Sequence, residues 1–566
     1  LSPTVRREGW LALLLVDSAF FYDYPIRKSI KGMVAMTLLT NGRIFLGTGE
    51  NDFAKDLRFA DGKVVETGDD LKPAEGEEVI DAKGRLVLPG LIDAHTHPKY
   101  IADALHGVAC TPPDVNSIAE MQAALRHSPA FGAGKDVWIE GWGFDETKLK
   151  EHRSPTRADL DQVSTDQPIF IYRSDCHSSV GNSRALELAG IDRTTPDPVG
   201  GKIERDDAGE PTGFMREVAA TQLLIRAKSA QSYQADVDNL VQSSHHYLAN
   251  GIVAIGEMMG RKKPYDSWQL YTDAVTRGFL PRTTIYYVFD ELKDGAALSF
   301  KATDQLRVAG IKVFMEGSIS GETADNTRPY PDGKRGVLLT DQDKLLAAVE
   351  MAKAAKVQLA VHAMGDAAIQ LVLDTTANLT PWLSETPSVR IEHASLLTDA
   401  MFDQINRAKM NYGLVTQPIF FFAEVASYQA FLTSSQYQEI YRVKSMERSK
   451  ALVALSSDAP CTPWAEPDSV FYSLYAAVTR RAANGEVVGP EEAITVGTGL
   501  LAYTKDAALM GGFEKNGTLV AGKNADFVIV DQDLFTIDPT EIKDTRVAET
   551  WVAGQRVYQR AVGEGN

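Results

Sequence analysis

Residues 86–97 read LVLPGLIDAHTH, an apolar run that ends on two histidines spaced two apart. Three later stretches share that design. QLAVH at 358–362 and VRIEH at 389–393 each end on a histidine, and ALVALSSD at 451–458 ends on an aspartate. Four further apolar stretches, at 252–257, 282–289, 311–315 and 412–417, bring the strand candidates to eight. Most are followed by helical text, such as 341–355 and 398–407. Alternating strand and helix argues for a parallel sheet, and eight such units make an α/β protein of the (β/α)8 TIM-barrel type.

The spacing exposes an insertion. His362 and His393 are one ordinary βα unit apart, whereas His95 to Lys312 takes more than twice the chain that three such units need. The surplus of roughly 120 residues is too long for a plain loop. With its own strand candidates at 137–140 and 169–172, it is expected to form an α/β insertion subdomain at 104–230 after strand 1 of a barrel at 86–513. Outside the barrel the text turns β-rich at both ends. Runs at 37–39, 43–46, 56–60 and 63–67 are punctuated by Asn41-Gly42 and Asp61-Gly62, both strong hairpin signals. Runs at 517–519, 526–530 and 549–558 repeat that texture, so 33–85 and 514–562 are expected to build one small β-sandwich domain. Residues 1–32 are expected to be an N-terminal extension or leader ahead of Met33 or Met36.

Composition narrows the function. The chain has 566 residues, 44% of them hydrophobic and 24% charged, and a net charge of −18. That balance fits a globular protein of enzyme size, and the acidic excess repels phosphate backbones and anionic lipid. No nucleic acid and no membrane partner is expected, and no apolar run reaches the roughly 20 residues a membrane helix needs. Cys110, Cys176 and Cys461 form no CxxC pair, so a cytoplasmic location is expected.

The chemistry sits at the strand ends. Residues two apart on a strand point the same way, so His95 and His97 can grip one metal from one side. A lone HxH is weak evidence. Here His362, His393 and Asp458 also end barrel strands, at the rim where barrel enzymes hold their active sites. Lys312 lies within the apolar stretch GIKVFMEG, where a charged ammonium is costly. It either pairs with a carboxylate such as Glu316, or its neutral amine captures carbon dioxide as a carbamate.

With those residues in hand, the sequence resembles the amidohydrolase superfamily of metal-dependent hydrolases. The match is closer to the family 3 branch, which includes N-substituted formamide deformylases and relatives of the exoenzyme regulatory protein AepA. The similar segments are HTH at 95–97, the strand-four lysine, GWGFDE at 141–146, SDCHSSVGNSRAL at 174–186, GGKIERDDAGEPTGFMRE at 200–217, VHAMGDAA at 361–368, RIEHASL at 390–396, SSDAP at 456–460 and GTLVAGKNADFVIVD at 517–531. The resemblance implies two divalent metal ions, of the zinc type. His95, His97 and Asp458 would hold one, His362 and His393 the other, with carboxylated Lys312 bridging. It implies hydrolysis of a non-peptide C–N bond of a small molecule by a metal-activated hydroxide, with Asp458 as the catalytic proton shuttle. His177, Trp142, Glu316 and Gln417 are the substrate-binding candidates, and a homodimer is the candidate assembly. The chain departs from the branch in having Glu316 where an aspartate is common, and IFFF at 419–422 where polar residues are common. IFFF is either barrel–helix packing or a pocket wall. Two alternatives stay open: a mononuclear-metal deaminase using His95, His97, His362 and Asp458, and a non-catalytic regulatory relative. Tandem His245-His246 reads as a solvated helix face.

Overall fold

The computed structural model describes residues 36–228, 232–292, 298 and 301–561; the extension at 1–32 lies outside the described residues. At its centre is an eight-stranded sheet whose neighbours all run parallel. In chain order the barrel strands are Leu91–Thr96, Ile252–Gly260, Arg282–Val288, Leu306–Phe314, Gln358–Ala363, Val389–His393, Tyr412–Thr416 and Leu452–Leu455. They are called the first to eighth barrel strands below. Strands buried on both faces read as continuous apolar runs, which is why these eight were visible in the sequence.

The sheet curls until its ends meet. The Asp458 N–H donates to the His95 carbonyl at 2.9 Å, and the His97 N–H to the Ala459 carbonyl at 3.0 Å. Asp93 completes the seam by accepting from the Ser457 N–H at 3.1 Å and from the Ser457 hydroxyl. Helices Gln342–Ala355, Asp366–Thr376 and Asp399–Arg407 pack outside and turn Leu345, Ile369, Val372, Met401 and Ile405 inward.

The expected strand at 86–95 is two strands. Leu86–Pro89 pairs with Phe527–Val530 and Arg43–Phe45 in a terminal sheet, and only Leu91–Thr96 enters the barrel. The break falls at Gly90, where a Cβ would meet Val253 Cγ2 at 2.5 Å, so the crossing between sheets has room for glycine alone. The terminal sheet is completed by Phe53–Ala54, Val547–Val552 and Gln555–Gln559. A four-stranded sheet of Met36–Thr40, Asp56–Ala60, Lys63–Gly68 and Glu78–Asp81 packs on it through Leu39, Leu57 and Phe59 against Ile44, Phe527 and Trp551. Two details of the sequence reading are corrected here. Residues 517–519 are loop, held by the Leu519 N–H donating to the Leu46 carbonyl at 2.9 Å. Residues 549–558 are a hairpin rather than one strand, because Ala553 and Gly554 both have positive φ, the signature of a tight two-residue turn.

Between the first and second barrel strands the chain builds a separate six-stranded sheet from Val108–Ala109, Ile139–Phe144, Ile169–Arg173, Ser179–Gly181, Lys202–Arg205 and Pro211–Arg216. It leans on the helix that follows the seventh barrel strand and on the loop that follows the fourth. Thr147 Oγ1 lies 3.2 Å from Ser427 Oγ, and the Arg173 guanidinium donates to the Ser320 carbonyl at 3.4 Å. No helix among the described residues is long and apolar enough to cross a membrane.

Because Asp93 is buried, its lost partner cannot be replaced by water. Ser457→Ala is therefore expected to cost about 1–3 kcal/mol in urea unfolding while the circular dichroism spectrum is kept. An unchanged midpoint would mean that the seam is held by backbone hydrogen bonds alone.

Candidate metal centre

The six strand-end residues converge. Asp458 Oδ1 lies 3.1 Å from His95 Nε2 and 2.8 Å from His97 Nε2, and its other oxygen lies 4.0 Å from His393 Nδ1. The Lys312 ammonium lies 3.4 Å from His95 Nε2. The His393 ring stands 4.9 Å from that of His95 and 4.4 Å from that of His362. Two triads have donor atoms within 4.8 Å of one another: His95, His393 and Asp458, and His97, Asp458 and Cys461.

Alternation along the sixth barrel strand would turn Glu392 and His393 to opposite sides. Both nevertheless reach the site, because His393 has a left-handed backbone with φ 69° and Ala394 follows at φ 48°. Asp458 is left-handed too, at φ 55°. Such residues cost about 1–3 kcal/mol each and persist where the surroundings overdetermine them.

The imidazoles are fixed from behind. His95 Nδ1 bonds Glu392 at 2.7 Å, His393 Nδ1 bonds Gln417 Oε1 at 3.0 Å, and His362 Nε2 donates to the Gly317 carbonyl at 2.8 Å. These contacts occupy one nitrogen of each ring, so that His95 Nε2, His393 Nε2 and His362 Nδ1 would be the nitrogens available to a metal, in the manner of supporting partners at metal sites. Glu392 is itself paired with Arg390 at 2.8 Å, and Arg390 donates to Tyr286 at 2.6 Å and to the Ala94 carbonyl at 3.0 Å. Burial opposes the Glu392 charge, but Arg390 and His95 pull its carboxyl down to about 2.

Burial, helped by Lys312, pulls His362 down to about 3, and burial with His362 takes His393 well below its usual range. Both are held in the neutral form, the one that can bind a metal, whereas at His97 burial opposes the charge but Asp458 and Glu257 outweigh it and raise the imidazole to about 9. Burial draws the Lys312 ammonium down to about 8. The donor set fits a metal on a further ground: His97 brings its Nε2 to Asp458 Oδ1, while its Nδ1 lies 3.9 Å from Glu257 Oε1, a carboxylate that can orient the ring from behind.

The substrate candidates fall in different places. Gln417 lies in the site, holding His393 and donating to Ser456 Oγ at 2.9 Å. Glu316 is fully buried, and its carboxylate accepts from the Met364, Gly365 and Asp325 N–H groups, tying the loop after the fourth strand to the helix after the fifth. His177 is half-buried in an insertion loop with Nδ1 3.3 Å from Glu217. Burial opposes its charge, but Glu217 and Asp175 outweigh it and raise the imidazole to about 9. Trp142 is buried in the insertion sheet and lines a small cleft with Ile101, His246, Pro460 and Asp468.

All four residues of the IFFF stretch are buried, as packing requires. Phe420 stacks on His393 at 6.0 Å and 8°, whereas Phe422 packs among Trp464, Tyr472 and Tyr475. His246 corrects the solvated-face reading. It turns inward and bonds Asp468 at 2.6 Å, while His245 stays exposed. Glu392, Arg390, Glu257 (3.9 Å from His97 Nδ1) and Cys461 were not foreseen. The signal for the first two was present, since paired charges two apart in an apolar strand need each other.

A family model described as the amidohydrolase family matches residues 78–558. N-substituted formamide deformylase of Arthrobacter pascens is 28% identical, over 92% of this chain and 98% of its own length. A putative amidohydrolase of Bacillus subtilis (strain 168) is 27% identical, over 92% and 99%. Among solved structures, a metal-dependent hydrolase from Pyrococcus horikoshii superposes with a TM-score of 0.70 at 26% identity, covering 89% of this chain and 99% of that one.

Removing one partner of a buried ion pair strands the other charge. Arg390→Met is expected to destabilise the protein by about 3–5 kcal/mol in thermal or urea unfolding, with part of the loss restored in Arg390→Met/Glu392→Gln. A loss equal in the single and double variants would show that Arg390 acts through packing rather than through Glu392.

Proposed function

This chain belongs to the amidohydrolase family, and from that premise we propose that it hydrolyses a non-peptide C–N bond in a small molecule: an amide, N-acyl amine or N-formyl amine. The observation that carries the reading is the convergence of His95, His97, Lys312, His362, His393 and Asp458 at one end of the barrel. The similarity to a formamide deformylase supports the bond type, and the similarity to a metal-dependent hydrolase supports the need for metal. Free thiols beside the ligands favour a reducing cytoplasm.

His95, His97 and Asp458 would hold one divalent ion, and His362 and His393 a second. Zinc suits their nitrogen and oxygen donors. Lys312, buried and 3.4 Å from His95 Nε2, would add its neutral amine to carbon dioxide, releasing a proton and forming a bridging carbamate. When bound, the metal supplies a water whose pKa falls to about 7, so a nucleophile is available at neutral pH.

The remaining work is done by side chains. Asp458 takes the proton of the attacking water and passes it to the departing nitrogen, so that amide and water become acid and amine. His177, charged at neutral pH, faces the substrate from the insertion and donates to its carbonyl or to an acidic substituent. Phe420, stacked on His393, forms an apolar wall that excludes bulk water and favours a partly apolar substrate.

Screening N-acyl amines, formamides and cyclic amides against metal-replete protein tests the bond type. With a substrate found, Asp458→Asn is expected to keep the fold and lose kcat by about 10²–10⁴-fold. Near-normal turnover would move the proton shuttle to another group. Lys312→Ala is expected to lose metal and to regain it with short carboxylic acids. Full metal content without such acids would remove the carbamate from the scheme.

A further inference from the structure

The turn that ends the eighth barrel strand brings a third kind of donor to the site. The Cys461 N–H donates to the Asp458 carbonyl at 2.9 Å, a tight turn that folds the thiol back beside the Asp458 carboxylate. The Cys461 sulfur, an Asp458 oxygen and a His97 ring nitrogen all lie within 4.8 Å of one another. His97 is buried, with Nε2 2.8 Å from Asp458 Oδ1 and Nδ1 on the side of Glu257, 3.9 Å from its carboxylate. All three cysteines are free, so Cys461 is not committed to a disulfide.

We propose that Cys461 is a sulfur ligand of the metal ion held by His97 and Asp458, making this a mixed nitrogen, oxygen and sulfur site. The inference rests on the metal-dependent reading above and deepens it. On binding, the thiol releases its proton to solvent and the sulfur–metal bond forms. A thiolate donor favours zinc, cobalt(II) or cadmium over magnesium and manganese. It also makes the site sensitive to oxidation, since sulfur that has been oxidised no longer ligates. Cys176 lies next to this thiol in the insertion loop, so the two sulfurs meet at the seam between insertion and barrel.

Cobalt(II) tests the assignment without a known substrate. The full-length protein is loaded with cobalt(II), and its absorption spectrum is compared with those of Cys461→Ser and Cys176→Ser. The expected result is a sulfur-to-cobalt charge-transfer band in the near ultraviolet, present in the parent and in Cys176→Ser and lost in Cys461→Ser. The visible ligand-field bands should survive in all three.

Ligand-field bands with no charge-transfer band in the parent would overturn the sulfur ligand and leave the metal-dependent reading standing. No ligand-field bands at all would overturn both. A second measurement uses the unaltered protein, so a misfolded variant leaves no gap. Zinc is expected to slow iodoacetamide labelling of Cys461 at least tenfold, read by peptide mass spectrometry. Equal labelling with and without zinc overturns the proposal.

Discussion

The hydrogen bond from the Asp458 N–H to the His95 carbonyl joins the eighth barrel strand to the first, and the same aspartate presents its carboxylate to His95 and His97. Closing the sheet and assembling the site are therefore one structural event. Were the seam open, the donors of the first strand would have no partner from the eighth. The left-handed backbone at Asp458 is tolerated because the flanking hydrogen bonds leave the chain no other path.

Beneath this seam runs a chain of buried polar contacts. Tyr286, Arg390, Glu392 and His95 are linked in series across the third, sixth and first barrel strands. Ion pairs so deeply buried contribute little to stability, because desolvation offsets attraction. What they provide is orientation. Glu392 holds one ring nitrogen of His95 so that the other faces Lys312 and Asp458, and Gln417 does the same for His393. Barrels host many chemistries, so it is this cluster of potential metal donors, rather than the fold, that points to a reaction.

Much of this was legible in the sequence. Strands buried on both faces leave apolar runs, and a polar residue at the end of such a run marks the rim, which is how His95, His362, His393 and Asp458 could be read. The handover at Gly90 was read through, because the runs on both sides of the Pro89-Gly90 breaker are apolar and only the close approach of Val253 shows why a glycine stands there. The pairing of Glu392 with Arg390 could be read from their spacing, but the reach of Glu392 to His95 could not. Strand alternation sets Glu392 opposite His393, and no pattern in the text announces a left-handed turn at a histidine. His246 looked solvated because its partner Asp468 lies far along the chain. Cys461 was passed over because a lone cysteine says nothing until the turn at Asp458 is seen.

Metal content tests the two-ion site most directly. Protein purified without chelator, incubated with zinc and bicarbonate and freed of excess metal, should contain close to two zinc ions per chain by elemental analysis. Loading that stays at one equivalent would contradict the two-metal site and favour a mononuclear centre, and loading near zero would contradict the metal-dependent reading itself.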